Sequence, residues 1–238
     1  MQKQKTSRAY DTRRIDIARC EIQTEDCESV SVGRQAPPSL PGMGECMAKL
    51  YFRYGVMNAS KSTQLLTVAH NYEEQGKRAR LFTPAINTRD GLGVIASRVG
   101  IQKPATVVDD TMNLFDEIAR DVPDCVLIDE VQFLRAVQIF QLAEAADHLR
   151  VPVIGYGLLK DFRNHLFEGS EAMIRFADQI EEIKTICAHP DCNRKATMIL
   201  KRKNGVPVYE GEQIEVGGNE LYDSVCRFHY FHPEMRSP

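Results

Sequence analysis

Three groups of residues have the types and spacing to do chemistry. The first is GVMNASKS, from Gly55 to Ser62. It lies between a short apolar stretch and an amphipathic one. A strand that turns through such a loop into a helix aims backbone N–H groups and the helix N-terminus at phosphates. Lys61 would reach the β- and γ-phosphates, and the Ser62 hydroxyl would ligate Mg²⁺. Ser60 stands where this loop pattern has glycine, so a side chain crowds the backbone against the phosphates. Read alone, the stretch fits an ordinary strand-to-helix loop equally well. The second group is CVLIDE, from Cys125 to Glu130, an apolar strand ending in two carboxylates. Asp129 would hold the Mg²⁺ that bridges phosphates, and Glu130 would take a proton from an attacking hydroxyl. Neighbouring strand residues point to opposite faces, so the two carboxylates share a site only if the strand ends between them. Seen together, the two groups supply both halves of a Mg-nucleotide site.

The third group is Cys187, His189 and Cys192, followed by Cys226 and His229. Cys and His at these separations fit a tetrahedral structural zinc site. Cys226 and His229 form an ordinary close pair. Four residues between Cys187 and Cys192 is slightly wide, so His189 rivals them for one position. The remaining cysteines are Cys20, Cys27, Cys46 and Cys125. Cys125 opens an apolar run and reads as a small core residue. In a cytosolic chain the C-terminal group points to metal rather than disulfides.

The elements that must position these groups follow from periodicity. Leu50 to Tyr54 reads as a strand. Ser62 to Gln75 places Leu65, Leu66, Val68, Ala69 and Tyr72 on one helical face, with Gly76 to cap its end. Ala79 to Thr83 and Cys125 to Ile128 read as strands, and Val151 to Tyr156 as another. Asn113 to Asp121 and Ala136 to Leu149 read as helices. Strands alternating with helices predict a parallel sheet covered on both faces. After about Thr185 the pattern becomes strand and turn. Asn204 and Gly205, between Ile199–Lys203 and Val206–Tyr209, predict a two-residue hairpin. Residues 1–46 show no sustained period and end in a Pro/Gly/Ser-rich stretch, which reads as a disordered extension. Organised sequence begins at Met47.

The chain has 238 residues, 43% hydrophobic and 26% charged, enough apolar material for a real core. A net charge of −3 excludes a general polyanion binder, since counterion release needs clustered cations. Lys201, Arg202 and Lys203 make one small basic cluster, and a solvated hairpin accounts for it. No apolar run approaches the ~20 residues of a membrane span. The N-terminus lacks the apolar core of a signal peptide. These features favour the cytoplasm, with neither membrane nor nucleic acid as partner.

From Met47 to about Pro233 the sequence resembles thymidine kinases of the cellular and bacterial P-loop class, not the herpesvirus class. The matching stretches are YFRYGVMN at 51–58, TRDG at 88–91, LIDE at 127–130 with Gln132 and Phe133, Gly157 and Leu158 with Asp161 and Phe162, and GGNELY at 217–222 running into Ser224–Cys226. The resemblance implies an α/β fold: a P-loop NTPase-like parallel-sheet domain over 47–184. A small zinc-ribbon-like lobe carrying a lasso loop would follow over 185–233, and a tail over 234–238. It implies ATP-dependent phosphorylation of thymidine, and of deoxyuridine, at the 5′-hydroxyl. Gly55, Met57, Asn58, Ala59, Ser60, Lys61, Ser62, Asp129, Glu130, Val131 and Gln132 would then belong to the ATP and Mg²⁺ site. Glu130 would be the general base and Arg89 an arginine near the reacting groups. Met57, Leu158 and Phe162 would line the thymine pocket, and Gly217, Gly218 and Tyr222 the lasso. Cys187, Cys192, Cys226 and His229 would hold zinc and tie the lasso's ends. The family is usually a homotetramer inhibited by thymidine triphosphate. The sequence departs from the family at Ser60, at Asn87 (often Asp) and at Val131 (usually small). A weakly active or non-catalytic nucleotide-binding relative, suggested by Ser60, is the alternative.

Overall fold

The computed structural model describes residues 48–87, 91–213 and 222–236. The readings made for residues 1–46, Arg89, Gly217 and Gly218 therefore lie outside the described residues. The described residues belong to one compact unit.

In chain order the elements begin with β1 (Leu50–Tyr54), α1 (Lys61–Glu74) and β2 (Ala79–Pro84). A small hairpin of β3 (Val94–Ala96) and β4 (Gln102–Pro104) leads into β5 (Thr106–Val108). Then come α2 (Leu114–Ala119), β6 (Cys125–Ile128), a 3-10 turn (Val131–Phe133), α3 (Ala136–Leu149) and β7 (Val153–Gly157). They are followed by α4 (Glu168–Phe176), β8 (Gln179–Glu182), β9 (Met198–Lys203), β10 (Val206–Val208), β11 (Tyr222–Val225) and α5 (Arg227–Phe231).

Six strands make one sheet in the order β5-β2-β6-β7-β1-β8, and every pairing in it is parallel. Strand alternation splits its side chains between two buried clusters. Phe52, Phe82, Val126, Ile128 and Val153 point to the face covered by α2, α3 and α4. Leu81, Cys125, Leu127, Ile154 and Tyr156 point to the other, where Leu65, Leu66 and Ala69 of α1 cover them. This is the two-sided burial of parallel sheets. A separate three-stranded antiparallel sheet runs β10-β9-β11, its hairpin turning at Asn204 and Gly205, both at positive φ.

Several boundaries differ from the periodicity by a residue or two, and three of them have a visible cause. β7 begins at Val153 rather than Val151, because Pro152 has no N–H to give a ladder. α2 begins one residue later, since Asn113 is its N-cap and accepts from the Asp116 N–H at 3.2 Å. α1 ends at Glu74 with Gly76 left-handed at φ 68. There the Lys77 N–H reaches back to the Tyr72 carbonyl, as in a Schellman stop.

Candidate active site

β6, β7 and β1 are neighbours, and their carboxyl ends carry Asp129, Leu158 and the Gly55–Ser62 loop. Ligands of open parallel sheets bind at this edge. The loop is shaped by two non-glycine residues in left-handed backbone, Asn58 (φ 63) and Ser60 (φ 59). Ser60 thus occupies a conformation that glycine adopts without strain, and its side chain is exposed. Lys61, the first residue of α1, is 7% exposed. Its ammonium donates to the Val56 carbonyl at 2.9 Å and to that of Gly55 at 3.4 Å.

β6 stops at Ile128, and Glu130 takes left-handed backbone (φ 50, ψ 42). That turn meets the condition set by strand alternation. Asp129 points into the protein, 3% exposed, while Glu130 swings into the cavity. Its walls also include the P-loop from Met57 to Thr63, Leu158 and the β3–β4 turn from Ala96 to Val99. The Ser62 hydroxyl donates to Asp129 Oδ2 at 2.9 Å. Asp129 Oδ1 is buried and has no hydrogen-bond partner. Burial, and after it the Glu130 carboxylate, pushes the Asp129 pKa well above the ordinary carboxylate range. A buried acidic oxygen left unpaired beside a hydroxyl suits a divalent cation, which would neutralise the charge that burial penalises.

Val131 and Gln132 follow as the 3-10 turn and do not line this cavity. Val131 is fully buried. It fits because its neighbours lack side chains: Cβ atoms built on Gly155 and Gly157 would lie 3.1 and 2.9 Å from its methyls. Gln132 is 2% exposed; its amide bridges Glu130 and the Leu158 N–H. Asn87 is described, and its amide donates to the Thr83 hydroxyl at 3.2 Å.

Phe162 and Tyr222 face each other with ring centroids 6.2 Å apart, outside the lining of the P-loop cavity. The Lys201 ammonium sits 4.7 Å from the Phe162 ring centroid. Sequence reasoning had no signal for two features here. Ser224, in β11, donates to the Met57 carbonyl at 2.6 Å and so ties the small sheet to the P-loop. The cavity wall at Ser97 and Arg98 belongs to a hairpin too short to show a period.

Cys187, Cys192, Cys226 and His229 are all buried, and their ligand atoms lie within 4.8 Å of one another. Cys187 Sγ and Cys226 Sγ are each 3.4 Å from His229 Nδ1, and Cys192 Sγ is 3.9 Å from Cys226 Sγ. These match the edges of a zinc tetrahedron, about 3.6 Å for S···N and about 3.8 Å for S···S from ordinary Zn–ligand distances. They are far from the ~2.05 Å of a disulfide. His229 Nε2 lies 3.1 Å from the Met235 carbonyl, which holds the tautomer that leaves Nδ1 free to bind. Burial raises the Cys187 thiol pKa and lowers that of His229. The imidazole is thereby kept in its ligating form, and metal binding would expel the thiol protons. His189 lies outside the cluster. Its ring stacks on His229 at 3.8 Å and its Nδ1 lies 2.7 Å from the Pro190 carbonyl. A Cys3His cluster of this shape fits structural zinc.

The parallel sheet, the loop at its carboxyl edge and the carboxylates beside it put the chain in the P-loop class, with a metal-binding lobe added. The sequence narrows this further. The family model for thymidine kinase matches residues 48–230, and the chain belongs to that family. Relatives named thymidine kinase include one from Streptococcus pyogenes, 52% identical over 191 residues, covering 79% of this chain and 100% of the relative. One from Lactococcus lactis has the same identity and coverage, and one from Streptococcus gordonii is 50% identical over 193 residues, covering 80% of this chain and 100% of its own. Among solved structures, the Legionella pneumophila ATPase DotB is similar at TM-score 0.36 and 16% identity, covering 63% of this chain and 43% of that one. No helix of the described residues is long and apolar enough to cross a membrane.

Proposed function

We propose that this chain transfers the γ-phosphoryl group of ATP to the 5′-hydroxyl of thymidine, and of deoxyuridine, giving the 5′-monophosphate. The observation that carries the reading is the carboxylate pair on one turn. Asp129 is buried against Ser62 with one oxygen unpaired, and Glu130 opens into the adjoining cavity. The cation implied is Mg²⁺; Ser62 and Asp129 would hold it, and when bound it neutralises charge on the phosphate oxygens. The Asn58–Ser62 backbone and Lys61 would cradle the phosphates, Lys61 leaving the Val56 carbonyl to do so. Glu130 would accept the 5′-hydroxyl proton. Met57, Leu158, Phe162 and Tyr222 would form the nucleoside side, with Arg89 near the reacting groups and Gly217 and Gly218 in the lasso. Cys187, Cys192, Cys226 and His229 would hold zinc. A homotetramer, inhibition by thymidine triphosphate and a cytoplasmic location complete the proposal, supported by family membership and by the free thiols of all four described cysteines.

The test is product identification: purified protein, ATP, Mg²⁺ and thymidine, with the product resolved by mass spectrometry and phosphatase digestion. Thymidine 5′-monophosphate is expected, and ADP formation that thymidine does not stimulate would defeat the reading. A weakly active nucleotide-binding relative is the second reading, and the left-handed Ser60 favours it. It predicts ATP binding with little or no phosphorylated nucleoside.

A further inference from the structure

Gln132 has both ends of its amide engaged and no freedom to turn. Its Oε1 accepts from the Leu158 N–H at 3.0 Å. Its Nε2 donates to Glu130 Oε2 at 2.6 Å. A backbone N–H can only donate, so the Leu158 contact fixes which end of the amide is oxygen, and the NH₂ must face the carboxylate. The side chain is 2% exposed. Room for it comes from Gly157, where a Cβ would lie 2.5 Å from Gln132 Oε1. From the other side α4 presses on the same turn: a Cβ on Gly169 would lie 2.4 Å from the Val131 carbonyl and 2.9 Å from that of Gln132. The turn is therefore clamped between β7 and α4, and Gln132 is the residue of the turn whose side chain reaches the Glu130 carboxylate.

Glu130 needs such a link. Left-handed backbone gives a non-glycine residue no conformational preference for its place, and its side chain stands at an open cavity. Leu158 lines that same cavity. We propose that Gln132 is a positioning residue: it fixes the Glu130 carboxylate to the cavity wall at Leu158, rather than touching the nucleotide. With Oε2 held by the Gln132 amide, Oε1 is left to face the substrate. As the new O–P bond forms and ADP leaves, the hydroxyl O–H breaks and its proton goes to that Oε1. The inference rests on Glu130 being the proton acceptor.

Gln132→Met keeps the length of the side chain and removes both hydrogen bonds. Since misplacing a reacting group by about 1 Å costs on the order of 10²-fold, kcat should fall about 10- to 100-fold. KM for ATP and thymidine should stay within about threefold. Gln132→Glu is the second variant, for the case in which the methionine fails to fold. It keeps an acceptor for Leu158 but loses the donor to Glu130, and the same fall in kcat is expected. Placed in a Glu130→Gln background, either substitution should cost little further, because its effect runs through the carboxylate. Wild-type kcat in Gln132→Glu, or a full further loss in the double variant, would overturn the inference. Near-wild-type kcat in Glu130→Gln alone would instead remove the reading of Glu130 on which it rests.

Discussion

The six-stranded and three-stranded sheets are held together by different means. The first buries two apolar clusters, one on each face, built from strands and four helices. The second buries one cluster of seven residues, three of which are the cysteines themselves. Removing water from apolar side chains accounts for the first. It does not account for the second, where the groups at the centre are thiols and an imidazole. A structural zinc contributes roughly 10–16 kcal/mol in small zinc-dependent folds, so the small sheet should depend on metal and the large one should not. Contacts that join the two include Ser224 on the Met57 carbonyl, Tyr230 on that of Phe162 and Lys160 on the Met198 sulfur, with the Lys201 ammonium and the Tyr222 ring against Phe162. Under the proposed function the labour divides, with phosphates and proton transfer at the large sheet's edge and Tyr222 of the small sheet helping to grip the nucleoside.

The largest expected effect lies on the large sheet. Glu130→Gln should lower kcat by about 10²- to 10⁴-fold, the usual cost of losing a general base, with ATP binding by equilibrium titration unchanged. On the small sheet, Cys226→Ser should release the metal, read as zinc content falling from one per chain towards none. Its heat-unfolding trace should gain an early step while the main transition of the parallel sheet persists. Full zinc occupancy in that variant would refute the ligand set. Retained zinc in His229→Ala, with loss in His189→Ala, would move the fourth ligand to His189. A smaller effect is expected at Asp129→Asn. There the Mg²⁺ concentration for half-maximal rate should rise at least about tenfold, the lower end of what losing even an outer-shell partner costs.

Ser60→Gly should do less. Relief of left-handed backbone, about 1–2 kcal/mol, is offset by the roughly 0.5–1 kcal/mol of extra freedom glycine gives the unfolded chain. KM for ATP should fall by no more than about fivefold, with KM for thymidine fixed. An unchanged ATP value would mean that the loop has adapted to serine. The least is expected from deleting residues 1–46, because the family model matches residues 48–230 and a relative is matched over its whole length by 79% of this chain. A fall of several degrees in melting temperature, or weaker nucleoside binding, would contradict this.

The strands and helices that carry the P-loop and Asp129 were legible because large apolar residues recur there at the period of each element. The cysteine cluster was legible because its chemistry allows few substitutes. Choosing between His189 and His229 needed coordinates, since only the fold shows which ring nitrogen approaches the sulfurs. Other parts were harder to read. α4 is amphipathic but short, and the residues it buries, Gly169, Ser170, Ala172 and Met173, are mostly small. β8 is QIEE, a polar edge strand recognised only by its pairing with β1. Gln132 and Gly157 belong to stretches that carry the family resemblance, but their partnership exists only because β7 lies beside β6.

The division of labour is tested most directly by measuring kcat and thymidine KM side by side in Glu130→Gln and Cys226→Ser, at saturating ATP and Mg²⁺. The expected result is a crossing. In Glu130→Gln, kcat collapses while thymidine KM stays within about threefold, as for loss of an interaction made only in the transition state. In Cys226→Ser, thymidine KM rises at least about tenfold while KM for ATP stays near wild type. If both variants lose kcat alone, or if Cys226→Ser raises both KM values equally, the two sheets do not divide the work as proposed.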